Sequence, residues 1–108
     1  MTWFSRTHRR SRLWLAATVL VLTVTACGHA PVQEMSDARQ ALEAAQAAGA
    51  PEHASEQYRE AQALLRSAES QLNQGRYREA RQTAARARDE AIRAREIAQR
   101  AEQGRGSD

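Results

Sequence analysis

Three stretches of the chain carry apolar residues in alternating steps of three and four, the period of one face of a helix. The first runs from about Val32 to Ala48, with its stripe at Met35, Ala38, Leu42 and Ala45. The second runs from about Ala54 to Gln74, with Tyr58, Ala61, Leu65, Ala68 and Leu72, and Leu64 beside them. The third runs from about Arg76 to Glu102, with Tyr77, Ala80, Ala84, Ala87, Ala91, Ala94, Ala98 and Ala101. Ile92 and Ile97 flank that last stripe. Gly49 and Pro51 separate the first two segments, and Asn73-Gln74-Gly75 the last two. Gly49 suits a helix C′ position, Pro51 a stop or restart, and Ser55 a helix cap.

The pattern predicts an all-α fold, an Ala-rich antiparallel helical hairpin or small three-helix bundle. Ala is the best helix former, and on a contact stripe it lets two backbones approach closely. It also buries little area, so the domain should be helical but of low stability. Reflection about Gly75 pairs Leu72 with Tyr77, Ala68 with Ala80, Leu65 with Ala84, Ala61 with Ala87 and Tyr58 with Ala91. Ala94, Ala98 and Ala101 reach beyond that hairpin. They need another partner: the first segment, a second copy, or a different protein. They form the candidate partner-docking face.

A different pattern precedes these segments. Four Arg (Arg6, Arg9, Arg10, Arg12) lead into the apolar run Leu13 to Ala26, which is 14 residues long. A membrane-spanning helix needs about 20. A basic stretch before a short apolar run is a secretory signal of bacterial type. Arg12 stands where a twin-arginine signal wants an apolar residue, so the general secretory route is expected. The run closes on Val24-Thr25-Ala26-Cys27-Gly28. This resembles the lipobox of bacterial lipoproteins, which implies cleavage between Ala26 and Cys27 and acylation of the Cys27 thiol. By resemblance to the lipoprotein sorting rule, Gly28 in place of Asp after the Cys directs the product to the periplasmic face of the outer membrane. The expected organisation is a signal peptide over 1–26, a tether over 27–34, a helical domain over 35–102 and a disordered tail over 103–108.

Composition narrows the function. The chain has 108 residues and one Cys, which leaves no internal disulfide and no Cys-based zinc site. The pI is near 10, with 16 basic residues, all Arg. From Cys27 onward, however, twelve Arg face thirteen Asp and Glu, a net charge of −1. The mature chain therefore lacks the basic surplus of a nucleic-acid binder. The charge is unevenly shared: Val32 to Ser55 carries −3 and the third segment +3. That complementarity supports an acidic first helix beside a basic third one. Within the third, Asp89/Arg93 and Glu96/Arg100 have the favourable i,i+4 order.

Candidate chemistry is sparse. His29 and His53 have no His, Cys or carboxylate at metal-ligand spacing. Gly104 and Gly106 follow a helix rather than open one, the wrong polarity for anion capture. No catalytic residues, metal ligands or cofactors are expected. Tyr58 and Tyr77 have the chemistry to stack on sugar rings, but both fall on the core stripe. Arg81, Arg86, Arg88 and Arg93 are candidate anion contacts for peptidoglycan carboxylates or lipopolysaccharide phosphate. Five interspersed acids favour a solvated helix face over that reading.

Two groups of residues carry a family resemblance. Asp37-Ala38-Arg39-Gln40-Ala41-Leu42-Glu43-Ala44-Ala45 leads to Ala48-Gly49-Ala50, and Tyr58-x-x-Ala61 is followed by Gly75-Arg76-Tyr77-x-x-Ala80-Arg81. Together they resemble the bacterial lipoprotein family known as domain of unknown function 4398, from about Met35 to Glu102. The resemblance implies an envelope location, association in some members with OmpA-like peptidoglycan-binding domains, and no catalytic residues. Leu72 to Ala87 is also similar to the turn of a tetratricopeptide unit, but stable arrays need about three units. The major outer-membrane lipoprotein of enteric bacteria is linked to peptidoglycan through a Lys, and this chain has none. The expected function is that of a lipid-anchored structural or protein-interaction module, partnered by an envelope protein or a second copy. The alternative is a binding module for peptidoglycan or lipopolysaccharide. In either case the first helix leaves the membrane, the second returns and the third leaves again.

Overall fold

The computed structural model describes residues 29–106. Four helices follow one another: α1 (Val32–Ala47), α2 (Ala50–His53), α3 (Ser55–Asn73) and α4 (Tyr77–Gly106). Among the described residues there is no strand. The chain is an all-α bundle of three long helices, with α2 a single turn between the first two.

Glycine sets both bends. Gly49 follows α1 with φ +85°, and its N–H donates to the Gln46 carbonyl at 3.0 Å. Gly75 follows α3 with φ +75°. There the Gly75 N–H donates to the Leu72 carbonyl at 3.0 Å and the Arg76 N–H to the Gln71 carbonyl at 2.9 Å. These two bonds make a Schellman motif and satisfy carbonyls at the open end of α3. A left-handed backbone costs a residue with a Cβ about 1–2 kcal/mol, so glycine occupies both positions. Pro51 lies in the first turn of α2, where its missing N–H is no loss. Ser55, the expected cap, is the first residue of α3, and Ala54 stands at the N-cap with no side-chain bond.

The core is an alanine seam. Ala80, Ala84, Ala87, Ala91, Ala94 and Ala98 of α4 are all fully buried. Met35, Ala84 and Ala68 share one cluster, Leu42, Ala91 and Ala61 the next, and Ala45, Ala94, Ala98 and Ala54 a third. Met35/Ala84, Leu42/Ala91 and Ala45/Ala94 are each 49 residues apart, so α1 and α4 run parallel in a constant register. Ala68/Ala84, Ala61/Ala91 and Ala54/Ala98 mirror about Arg76, so α3 and α4 are antiparallel. Helix α4 packs extensively on both neighbours, while α1 and α3 meet much less.

The expected register is kept to within a turn. Leu65 packs with the Ala84 cluster and Tyr58 with the Ala91 cluster, as reflection about Gly75 predicts, while Ala68 joins Ala84 rather than the expected Ala80, and Ala61 joins Ala91 rather than the expected Ala87. The reason is the turn: Gln74 to Arg76 are outside the helices, and α4 begins only at Tyr77. Tyr77 is left exposed at the bundle end rather than placed in the core. Helix boundaries also differ from expectation at both ends. Val32 already opens α1, inside the expected 27–34 tether, and α4 continues through Gly106, past the expected stop at Glu102. Glycine in a last helical turn weakens a helix without breaking it.

A close seam tolerates no added volume. Ala91→Leu should lower the unfolding free energy by about 1–3 kcal/mol through overpacking. Ala63→Leu, on the exposed face of α3, should change it by no more than about 0.5 kcal/mol. Urea titration followed by helical circular dichroism measures both.

Candidate functional site

The face expected to dock a partner is already covered. Ala94 and Ala98 are fully buried against Ala45, Ala50 and Ala54, with Ala48, Tyr58 and Ile97 packed around them. Ala101 is half-buried at the edge. This corrects the docking assignment: of the three open partners, the first segment and the turn after it fill the place. Ala50 was missed because it lies between two segments, and Ala54 because it opens the second segment ahead of the stripe that begins at Tyr58. Their signal was present, since Ala54, Ala61 and Ala68 recur in steps of seven and extend the contact stripe of α3 by a full heptad.

The candidate anion contacts do not converge. Arg81 is held by α1: its Nε lies 3.2 Å from Glu34 Oε1, and its Nη2 donates to the His29 carbonyl at 3.1 Å. Arg88 bonds to Asp89 at 2.9 Å, and Arg93 lies 3.4 Å from Glu90. Arg86 is exposed and has no ion pair among the described residues. At 100° per residue, Arg81 and Arg88 share one flank of α4, and Arg86 lies about 140° around the helix from Arg81. Three of the four guanidinium groups thus have acidic neighbours, and the four present no common surface. Asp89 also pairs with Arg88 rather than with Arg93, its expected i,i+4 partner. Exposed pairs of this kind differ little in energy, so local rotamers select among them.

The acidic-first, basic-last charge pattern produces one contact between helices, Glu34 of α1 with Arg81 of α4. A second pair runs the other way, from Arg39 of α1 to Glu69 of α3 at 3.3 Å. Both pairs are partly exposed, and they mark register more than they add stability.

An open groove of about 230 Å³ lies between α1 and α3. Leu42, Tyr58 and Leu65 form its apolar floor, and Glu43, Gln46, Gln62, Arg66 and Glu69 its rim. It exists because α4 wedges the other two helices apart. Tyr58 contributes to this wall and to the core around Ala91 and Ala94. Among the described residues, no group of three or more His, Cys, Asp or Glu is placed to hold a metal ion. No helix among them is long and apolar enough to cross a membrane. Ala26 and Cys27, the expected cleavage and acylation positions, lie outside the described residues.

The family model for the domain of unknown function DUF4398 matches residues 33–105, nearly all of the described bundle. The chain belongs to the DUF4398 family. The match spans α1 to α4, so the DUF4398 unit here is the complete three-helix arrangement and not the α3–α4 hairpin alone. No curated protein and no solved structure matches this chain.

The Glu34–Arg81 pair clamps the start of the DUF4398 bundle from its surface. A double-mutant cycle with Glu34→Ala and Arg81→Ala should give a coupling below about 1 kcal/mol. It should shrink further in molar salt, where the screening length falls to about 3 Å.

Proposed function

We propose that this DUF4398 protein is a lipoprotein, anchored by acylated Cys27 to the periplasmic face of the bacterial outer membrane, where its bundle serves as a structural or protein-interaction module. The observation that carries the reading is the position of the only Cys. It closes a short apolar run behind four Arg, after two small residues, directly ahead of the bundle. Small residues there admit a signal peptidase, and the thiol accepts a diacylglyceryl group. Two or three acyl chains give stable anchoring, at about 0.8 kcal/mol per buried CH₂.

The shape of the domain favours an interaction role over chemistry. Among the described residues its interior is mostly alanine with Met35 and Leu42, its charged groups lie on the outside, and the groove between α1 and α3 is open, with amide and charged residues along it. The partner in this reading is an envelope protein or a second copy. The alternative of a peptidoglycan or lipopolysaccharide binder loses ground, because Arg81, Arg88 and Arg93 sit beside acids of the same chain.

Intact mass of the protein extracted from membranes tests the anchor. The expected mass begins at Cys27 and carries two or three acyl chains, and Cys27→Ala abolishes the modification. A chain that keeps Met1 and carries no acyl group would overturn the reading.

A further inference from the structure

We propose that the end of the bundle built from the start of α1 and the α3–α4 turn is a phospholipid-contacting surface. In it, Val32 and Tyr77 sit at headgroup level and Arg78 meets lipid phosphate. The inference rests on the lipid-anchor reading above and adds the surface that the anchored domain presents to the bilayer.

The first argument is reach. Cys27 stands two residues before His29 in the chain. From His29 onward the backbone is held by the bundle. The His29 carbonyl accepts from Arg81, the Pro31 side chain is fully buried, and Val32 begins α1. Two residues span at most about 7 Å. A helix with its side chains is about 10–12 Å across. A lipid on Cys27 therefore holds this end of the bundle against the bilayer, with no room for a flexible stand-off.

The second argument is composition. Three large hydrophobic side chains are exposed among the described residues: Val32, Tyr77 and Ile92. Two of them belong to this end, as the first residues of α1 and α4. Arg81 contacts both His29 and Glu34, so the level of Arg81 coincides with the start of α1. Tyr77 lies one turn, about 6 Å, beyond that level, toward where Cys27 must be. A tyrosine has an apolar ring and a polar hydroxyl, the combination favoured at a membrane–water boundary.

The third argument is charge. The acids at this end pair within the bundle, Glu79 with Arg76 at 2.7 Å, Glu34 with Arg81 at 3.2 Å and Glu69 with Arg39 at 3.3 Å. Arg78 is exposed beside Tyr77 and has no ion pair among the described residues. The surface thus offers a free cation and no unpaired first-turn acid, which suits phosphate-bearing headgroups. Contact here fixes the bundle upright. Helix α4, 30 residues and about 45 Å long, then points its C-terminal end into the periplasm.

Tryptophan fluorescence tests the contact. Trp3 and Trp14 both precede Cys27, so the processed lipoprotein has no Trp of its own. Tyr77→Trp and Gln99→Trp are made in the full chain and purified as processed protein, with acylation read by intact mass. Each is reconstituted in phosphatidylethanolamine–phosphatidylglycerol vesicles with and without headgroup-spin-labelled lipid. The Tyr77→Trp emission should shift to the blue and be strongly quenched. The Gln99→Trp emission, about 33 Å further along α4, should do neither. Acylated protein with equal, weak quenching at both sites overturns the contact and leaves the anchor standing. Protein without acyl chains overturns the anchor, and the contact falls with it.

Discussion

Everything in this bundle depends on how closely α4 approaches its two neighbours. Six alanines along one face of α4 are fully buried, and each layer of the seam joins α4 to at least one residue of α1 or α3. An alanine seam works through proximity. Each methyl buries little area at about 25 cal/mol per Å², but it loses no rotamer freedom, and the backbones come near enough for dispersion contacts along their whole length. The larger side chains, Met35, Leu42, Leu65, Leu72 and Tyr58, come from α1 and α3 and fill the space on either side of the seam. One helix thus supplies smoothness and the other two supply bulk. The wedge that results holds α1 and α3 apart and opens the groove between them.

The same constraint shapes the surface. A seam of small residues needs only a narrow stripe, so most of the circumference of α4 remains in water. Arginines and acids occupy that remainder, and Arg81, Arg88 and Arg93 lie beside Glu34, Asp89 and Glu90. The charged exterior keeps a long helix soluble without building a focused electrostatic site. The ends of the bundle are different, because there the helix faces no longer cover one another. Among the described residues, the large hydrophobic side chains exposed at an end are Val32 and Tyr77, at the end that follows Cys27 in sequence. In the proposed lipoprotein, attachment at Cys27 would therefore set an orientation as well as a location.

Much of this was legible in the residues. Steps of three and four placed α1, α3 and α4 within a few residues, and Gly49 and Gly75 marked both bends because each must take a left-handed backbone. The register of α3 on α4 was legible only to within a turn: Leu65 meets the Ala84 layer and Tyr58 the Ala91 layer as the stripe implies, but Ala61 and Ala68 sit one turn further along α4. An alanine stripe looks the same after sliding by one turn, so the choice lay with the turn geometry at Gln74 to Arg76. The cover over Ala94 and Ala98 was not legible. It depends on α1 lying parallel to α4, on Ala50, which a reading by segments leaves between helices, and on Ala54, which stands ahead of the stripe of the second segment. The lipid-attachment motif is a local signal that needs no fold to be seen. A shared surface for four arginines could not be judged until α4 had a definite inner face.

The central claim is that α1 and the α2 turn complete the seam over the distal half of α4. Native-state hydrogen exchange of the α4 amides tests it most directly, because protection reports the free energy of opening residue by residue. The account predicts strong, nearly uniform protection from Ala84 through Ala98. Protection that decays beyond Ala91, with Ala94 and Ala98 exchanging as fast as the C-terminal turn, would contradict it.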